Sequence, residues 1–264
     1  GNCRRLVGLG HDVDGVSATA ILVLTLRRLG ADPMIIIPHR VNDGYGVTMG
    51  RIEELVKAGV TLTITVDTGV TAVGEIAHAR ALGMDVIVTD HHLPAQTLPP
   101  ADAIVDPNQP GCEFPSRHLA GVGVVFYLLL ALRAELRRRD SGGAAARAPL
   151  QRLLDLVALG TVADLVRLDG NNRLLVAAGL QRIRAGATCA GIRALLQVAG
   201  RDHRRASSSD LGFAIGPRIN AAGRLADISL GIECLVTDDE ARATELATAL
   251  DAINRELSLS NEAA

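Results

Sequence analysis

The stretch TLTITVDTGVTAVGEIAHARALGMDVIVTDHH, residues 61–92, contains two apolar runs with a helical pattern between them. Residues 61–66 and 86–89 are rich in β-branched side chains, which is typical of strands, whereas residues 72–82 have the apolar spacing of a helix. Two strands that are connected by a helix run parallel to each other in a sheet. This stretch therefore predicts one unit of an α/β fold with a parallel β-sheet.

The same alternation continues on both sides of that stretch. The apolar patterns predict further strands at residues 5–9, 34–37 and 103–105 and further helices at residues 16–29 and 48–58. A β-α-β-α rhythm of this kind implies a parallel sheet that is flanked by helices on both faces. We therefore expect residues 1–119 to form the parallel α/β part of the chain.

Only helical patterns follow that part. They lie at residues 121–139, 150–160, 171–184, 189–198 and 209–215. Residues 137–149 are rich in Gly, Ala and Arg and predict an exposed linker. Gly121 and Gly123 match no dinucleotide-binding fingerprint, and we interpret them as small residues that let the start of a helix pack closely. We expect residues 120–237 to form a helical part.

The last pattern, at residues 238–257, predicts a long amphipathic helix. It begins at TDDE, an acidic start that suits the N-terminus of a helix. We expect residues 238–264 to be the beginning of a helix that connects to a further domain. The ending SLSNEAA is expected to lie outside the helical pattern.

The composition limits the classes of protein to consider. The chain has 264 residues, of which 48% are hydrophobic and only 2% aromatic, so its core must consist of aliphatic side chains. The net charge of −2 does not indicate a nucleic-acid-binding protein, although a bound divalent cation would change the local field. We expect no signal peptide and no membrane span. The four cysteines show no CxxC spacing, which argues against a zinc site or a disulfide framework and favours a cytoplasmic location.

Polar residues follow each of the first four predicted strands. In chain order they are Asp12 and Asp14, then His39 and Arg40, then Asp67, and finally Asp90, His91 and His92. The carboxyl ends of parallel strands meet at one edge of a sheet, where the ligands of open α/β folds bind. We therefore expect these side chains to converge on one site. The convergence carries more weight than any single motif.

Asp12 and Asp14 are two residues apart after the first strand. Side chains at this spacing on a strand point to the same side, and a divalent cation would relieve the repulsion between the two carboxylates. The alternative is a loop in which both aspartates are solvated and cap the next helix. Asp67 precedes Thr68-Gly69, a position that is more often a turn or a helix cap than a ligand.

Asp90-His91-His92 is a stronger signal, because carboxylate and imidazole together suit Mn²⁺, Fe²⁺, Co²⁺ or Zn²⁺. We favour a metal or phosphate site here, and the alternative is a polar turn. Asp164 stands in an otherwise apolar stretch, where a carboxylate is rarely buried unless it is paired or binds a metal. The alternative for Asp164 is a helix cap at the surface.

Residues 216–224 place two arginines and an asparagine among small residues. Arg218, Asn220 and Arg224 could bind phosphate, since arginine forks match its geometry. The alternative is the end of a helix with solvated arginines.

Six segments of the chain occur in the order that is found in a known family. They are HDVDGVSATAIL, PHRVNDGYG, VDTGVTA, VTDHHLP, LVALGTVADLV and GPRINAAGRL. The first four resemble the general motifs of the DHH phosphoesterase family, and the last two resemble its single-strand DNA exonucleases. The resemblance extends over nearly the whole chain.

This resemblance implies a two-metal phosphodiesterase that uses Mn²⁺ or Mg²⁺ and degrades single-stranded DNA from the 5′ end in recombination and repair. The implied metal ligands are Asp12, Asp14, Asp67, His91 and Asp164, with Asp67 bridging the two ions. The implied catalytic residues are Asp67, His91 and His92, of which His92 contacts the scissile phosphate. The implied ligands of DNA phosphates are Arg40, His92, Arg218, Asn220 and Arg224.

The chain departs from the family pattern in two respects. Gly10, with His11 beside it, stands where the family often carries a further aspartate. The chain also lacks counterparts of the family's C-terminal substrate domain and OB-like domain, so we expect a catalytic core alone. Two other functions stay open, namely a phosphatase for small molecules such as short oligonucleotides or cyclic dinucleotides, and an inactive binding module. The sequence indicates no protein partner.

Overall fold

The computed structural model describes residues 4–8, 12–36, 46–139, 143, 148–225 and 227–262, with the backbone alone at 4–8 and 261–262. His39, Arg40, Gly10 and His11 lie outside the described residues, as does most of the predicted linker.

A five-stranded sheet forms the first part of the chain. Its strands are β1 (Arg4–Gly8), β2 (Pro33–Ile36), β3 (Val60–Val66), β4 (Asp85–Thr89) and β5 (Ala103–Val105). The spatial order is β2-β1-β3-β4-β5, and all neighbouring strands are parallel. The predicted fold class is confirmed, and each strand lies where an apolar run predicted it.

The strand order changes direction at β1. The chain passes from β1 to β2 on one side and returns to β3 on the other, so Val7 pairs with both Ile35 and Ile64. In open sheets of this kind the carboxyl ends of the two strands at the switch point flank a crevice in which ligands bind. Asp12 and Asp67 follow these two strands.

Three helices connect the strands: α1 (Val13–Arg28), α2 (Met49–Lys57) and α3 (Val73–Ala81). Ile64 and Val66 belong to the core that α1 shares, whereas Val86 and Val88 belong to the core that α2 and α3 share. The sheet therefore has helices on both faces, as predicted. Helix α1 is buried along most of its length because the rest of the chain covers its outer side.

The second part of the chain is helical. Its helices are α4 (Gly121–Arg139), α5 (Leu154–Ala163), α6 (Gly170–Arg184), α7 (Ala190–Val198), α8 (Ser208–Asp210), α9 (Gly216–Leu225), α10 (Ser229–Val236) and α11 (Glu240–Glu262). A continuous aliphatic core joins these helices to α1. The division of the chain at residues 119 and 237 stays a prediction. Of the helices described, none has both the length and the apolar character needed to cross a membrane.

Helices α9 and α10 lie where the sequence patterns predicted no helix. A π-helical turn, Leu211–Ile215, leads directly into α9 at Gly216-Pro217. Glycine followed by proline is typical of a break in a helical pattern, but a proline in the first turn of a helix sacrifices no helical hydrogen bond.

Helix α11 is longer than predicted. The expectation that the ending leaves the helical pattern is wrong for residues 258–262, since α11 extends to Glu262. The hydroxyls of Ser258 and Ser260 donate to the carbonyl oxygens of Asn254 and Glu256, at 3.0 Å each. Bonds of this type to the preceding turn allow serine to lie within a helix.

Candidate metal centre

Asp12 and Asp14 lie at the start of α1 and not on the end of a strand. Asp12 is the N-cap of α1, and its Oδ1 accepts hydrogen bonds from the backbone N–H of Asp14 (3.0 Å) and of Gly15 (3.1 Å). The side-by-side arrangement that strand alternation predicted is therefore wrong, and the helix-cap alternative is confirmed for Asp12. Asp12 is exposed, whereas Asp14 is completely buried.

The N-terminus of α4 holds the Asp14 carboxylate. Its Oδ2 accepts from the N–H of Gly121 at 2.5 Å, and its Oδ1 accepts from the N–H of Val122 at 2.9 Å. A helix N-terminus favours negative charge. Burial nevertheless raises the pKa of Asp14 well above its usual range, and the charges of Asp67 and Asp164 raise it further.

Two glycines make room for this carboxylate. A Cβ on Gly121 would lie 2.8 Å from Asp67 Cβ and 2.9 Å from Asp14 Oδ2. A Cβ on Gly160, in α5, would lie 2.8 Å from Asp14 Oδ1. The prediction that Gly121 lets the start of a helix pack closely is confirmed. The packing partner, a buried aspartate, was not foreseen.

Asp67 follows β3 in the left-handed backbone region, at φ 57°. Few residues other than glycine adopt this conformation, although Asp and Asn tolerate it better than most. The N–H of Asp67 still continues the sheet by donating to the carbonyl of Thr89 at 2.9 Å. Asp67 is 7% exposed, and burial raises its pKa.

Asp90 organises the turn that follows β4. Its Oδ1 accepts from the N–H of His91 (2.8 Å), the N–H of His92 (3.1 Å) and the ring Nδ1 of His92 (2.7 Å). Its Oδ2 accepts from the N–H of Val70 at 2.9 Å. Asp90 is buried, but these hydrogen bonds lower its pKa. The sequence analysis gave Asp90 no separate role, although an aspartate commonly bonds to the amides that follow it.

His91 brings together carboxylates from three parts of the chain. Its Nε2 lies 3.1 Å from Asp67 Oδ1, 3.6 Å from Asp164 Oδ2 and 3.9 Å from Asp14 Oδ2. The carbonyl oxygen of His91 accepts from Asn108 Nδ2 at 2.6 Å, which fixes the backbone at this residue. Four of the five side chains predicted as ligands, all except Asp12, therefore surround one point at the carboxyl edge of the sheet.

The atoms that converge here fit a cation. Asp67 Oδ1, His91 Nε2 and Asp164 Oδ2 are buried and have no aligned hydrogen-bond partner among the described residues, since the 3.1 Å contact between the first two is close but not directed along the ring N–H. Buried polar atoms are otherwise almost always hydrogen-bonded. A divalent cation would satisfy all three atoms at once.

The pKa values of the site reflect its excess of negative charge. Burial alone would lower the pKa of His91, but its contact with Asp67 and the charges of Asp14 and Asp164 raise it to about 9. Burial raises the pKa of Asp164 to about 6. Without a cation the site therefore retains protons that a bound cation would displace.

The possible ligands form two overlapping groups. Asp67, His91 and His92 form one, and Asp14, His91 and Asp164 form the other, with donor atoms within 4.8 Å of one another in each. This mixture of carboxylate and imidazole suits Mn²⁺ and its neighbours in the transition series. Asp12, a predicted ligand, belongs to neither group.

The predicted phosphate ligands in α9 have different surroundings. The guanidinium of Arg218 bonds to Asp251 of α11 (Nε to Oδ1, 2.9 Å) and to the carbonyl of Ala214 (2.6 Å). It is therefore neither solvated nor free. The Oδ1 of Asn220 accepts from the N–H of Val13 at 3.1 Å. Arg224 is exposed.

A fifth strand end, after β5, carries a residue that the sequence analysis missed. Asp106 is 2% exposed, its Oδ1 accepts from the N–H of Asn108 at 2.7 Å, and its Oδ2 has no partner. Burial raises its pKa to about 6. The sequence contained a signal for Asp106, because this residue directly follows β5 as Asp90 directly follows β4. It supports the Asn108 loop, which in turn bonds to His91.

Comparison with known proteins assigns the class. Residues 7–161 match the model of the DHH family, N-terminal domain, which is more than half of the chain. The chain belongs to the DHH family.

Within that family the similarity is to RecJ. The single-stranded-DNA-specific exonuclease RecJ of Salmonella typhimurium is 51% identical over 255 residues, and that of Bacillus subtilis is 41% identical over 246 residues. These alignments cover 95% and 93% of this chain but only 44% and 30% of the relatives. The chain thus spans less than half the length of these relatives.

Solved structures show the same similarity to RecJ. A crystal structure of exonuclease RecJ bound to manganese has a TM-score of 0.87 and 39% identity, and covers 99% of this chain and 64% of that one. RecJ from Thermus thermophilus in complex with Mn²⁺ has a TM-score of 0.82 and 36% identity, and covers 99% of this chain and 36% of that one. RecJ from the same organism has also been solved in complex with Mg²⁺.

Proposed function

We propose that this chain is the catalytic core of a metal-dependent exonuclease that degrades single-stranded DNA from the 5′ end in recombination and repair. The observation that carries the proposal is the convergence of unpartnered Asp67 Oδ1, His91 Nε2 and Asp164 Oδ2 on one buried point. The RecJ relatives support the substrate and the reaction. We also propose a cytoplasmic location.

The proposed cofactors are two Mn²⁺ or Mg²⁺ ions, held by Asp12, Asp14, Asp67, His91 and Asp164. Two such ions supply a nucleophile from water at neutral pH and neutralise charge on the reacting phosphate. Manganese is the ion that the mixed carboxylate and imidazole set favours. In this proposal Asp67 would bridge the ions; its Oδ1 lies 3.1 Å from His91 Nε2, and His91 is the residue that the two ligand groups share.

His92 is the residue that we propose contacts the scissile phosphate. Its side chain is 58% exposed, whereas that of His91 is 11% exposed, so His92 can reach a ligand in the crevice. Its Nδ1 bonds to Asp90 Oδ1 at 2.7 Å, and this bond raises the pKa of His92. A histidine held in this way keeps Nε2 available as a donor to a phosphate oxygen.

The single strand would meet both charged and apolar groups near the crevice. Arg224 is exposed and available to a DNA phosphate, and we propose Arg40 as a further contact, whereas Asn220 Oδ1 already accepts from the N–H of Val13. Arg218 has a structural role in this proposal, since contact with phosphate would require its pair with Asp251 to break. Leu165, which directly follows Asp164, is 82% exposed, and Phe213, whose neighbour Gly212 would contact Val162 through a Cβ, is 78% exposed.

The replacement Asp67→Asn tests the proposal. Asparagine tolerates the left-handed backbone at this position but cannot supply a charged ligand. We expect Mn²⁺-dependent release of mononucleotides from a long single strand to fall by at least about 100-fold. This loss exceeds the usual effect of removing a residue that only orients a metal ligand. Asp85→Asn, on exposed residue Asp85 of the same sheet, is the matched control.

A long single strand and a dinucleotide should be compared as substrates for the unmodified chain. Faster turnover of the dinucleotide would indicate a small-molecule phosphodiesterase. Intact strands after incubation with Mn²⁺, or equal activity of Asp67→Asn, would rule out the proposed nuclease.

A further inference from the structure

The N-terminus of α1 carries Asp12 and Asp14, and its backbone amides have one partner from a distant part of the chain. The first four N–H groups of a helix have no acceptor within that helix. Asp12 Oδ1 accepts from the amides of Asp14 and Gly15, and the carbonyl of Asp12 accepts from the amide of Val16. Of the four amides from Val13 to Val16, the remaining one is that of Val13, which donates to Asn220 Oδ1 at 3.1 Å.

We propose that Asn220 is a positioning residue that completes the cap of α1 and thereby fixes the Asp12–Gly15 loop for metal binding. The inference rests on the proposed function, because the loop has this role only if its aspartates bind a cation. It differs from the phosphate contact that the sequence suggested for Asn220.

The position of Val13 means that loss of its bond to Asn220 would affect both aspartates. Val13 lies between the two aspartates and is 1% exposed, so the loss of the acceptor at its amide is costly. Without Asn220, the Asp12 carboxylate, one residue away, could turn to this amide. That rotation would give up its bonds to Asp14 and Gly15 and would move both aspartates from their present positions.

Contacts with two other helices fix the position of α9 and therefore the position of the Asn220 backbone. Arg218, two residues earlier, places Nε and Nη2 at 2.9 and 2.8 Å from Asp251 Oδ1, and the two side chains are 15% and 9% exposed. Asp251 Oδ2 is also paired with Arg255 at 2.7 Å. On the other side of the helix, a Cβ on Gly231 of α10 would lie 3.1 Å from Ile219 Cγ2. Helix α9 therefore connects α11 to the start of α1.

Three variants of the chain separate a positioning role from a substrate contact. Asn220→Ala removes the acceptor, and Asn220→Asp retains an acceptor oxygen at the same place. Arg224→Ala changes an exposed residue of the same helix. Mn²⁺ affinity is measured by calorimetry without DNA, and exchange of the Val13 amide is measured in the metal-free chain.

We expect Asn220→Ala to weaken Mn²⁺ binding about 10- to 100-fold, the range for groups that orient metal ligands. The Val13 amide should exchange at least about tenfold faster in this variant, since it loses its acceptor. Asn220→Asp should restore both properties, and Arg224→Ala should change neither. Circular dichroism establishes that each variant is folded.

Unchanged Mn²⁺ affinity and unchanged Val13 exchange in Asn220→Ala would overturn the inference. Weaker DNA binding with both of those unchanged would instead make Asn220 a substrate contact. Failure of the proposed function is distinct, because the unmodified chain would then bind no Mn²⁺, while the exchange of Val13 would still respond to Asn220→Ala.

Discussion

His91 Nε2 and Asp67 Oδ1 lie 3.1 Å apart at the ends of two neighbouring strands, β4 and β3, and neither atom has an aligned hydrogen bond within the part of the chain that the structure describes. The parallel pairing of these strands brings the two residues to the same edge of the sheet. Their contact raises the pKa of His91 to about 9 even though burial lowers it. The proton on this ring is therefore linked to metal binding.

The first prediction concerns pH. Between pH 6.5 and about 9 the folded, metal-free chain holds a proton on His91 that the unfolded chain does not. The stability of the metal-free chain should therefore fall as pH rises through this window. Mn²⁺ must displace the proton, so its affinity should rise by up to about tenfold per pH unit in the same window.

Thermal unfolding with chelator and calorimetry with Mn²⁺, both at pH 6.5 to 9, check this prediction. His91→Gln should reduce both pH dependences, while His203→Gln should leave them in place. A Mn²⁺ affinity that is constant over the window would contradict the linkage.

The second prediction concerns the space around Asp14. Gly160→Ala adds a Cβ at 2.8 Å from Asp14 Oδ1 and 2.8 Å from Val122 Cγ1, so the carboxylate or α4 must move. We expect a loss of about 1–3 kcal/mol in the free energy of unfolding, as for other overpacked cores. Mn²⁺ affinity should fall as well.

Gly50→Ala provides the matched control, because a Cβ at this helical glycine meets nothing within 4 Å. It should raise the free energy of unfolding by about 0.5–1 kcal/mol, since alanine favours the helix. Urea unfolding of both variants measures the difference. Equal stability of Gly160→Ala and the parent chain would show that the site can relax.

The third prediction concerns Phe213, the most exposed aromatic ring among the described residues. It lies in the π-helical turn, and a Cβ on its neighbour Gly212 would contact Val162 in the last turn of α5, just before Asp164. Aromatic rings at such places stack on bases of single strands, at about 1–3 kcal/mol per base. Phe213→Ala should therefore weaken single-strand binding by roughly 5- to 150-fold.

Phe213→Trp should retain that binding and should change the fluorescence of a 2-aminopurine placed in the strand. Leu174→Ala, at another exposed apolar residue, is the control. If Phe213→Ala binds a single strand as the parent does, the ring takes no part in recognition.

The fourth prediction concerns Arg224. An exposed arginine that contacts a phosphate contributes by counterion release. Arg224→Ala should weaken binding of all single strands similarly and reduce the slope of log affinity against log salt concentration by about 1. Fluorescence anisotropy at several salt concentrations measures this slope. Arg204→Ala, whose guanidinium is paired with Asp202, should leave the slope unchanged.

The fold was largely predictable because each of its signals is local. β-Branched runs and helical spacing are properties of a few adjacent residues, and the strands β1–β5 lie where those runs occur. The convergence of strand ends was predictable for the same reason, since parallel strands joined by helices share an edge. Helix α9 was missed because Gly216-Pro217 is a local signal for a break in a helix.

The parallel sheet and the polar residues at its carboxyl edge follow from the amino-acid sequence, because periodicity and order along the chain are enough to specify both. Which of those residues face one another depends on the packing of distant segments. Asp14 turns toward α4 and Asp12 remains exposed, Arg218 bonds to Asp251, and Asn220 bonds to Val13. These contacts join residues that are far apart in the chain. A hydrogen bond between two such residues does not change the spacing of apolar residues in either segment, so the sequence pattern cannot predict it.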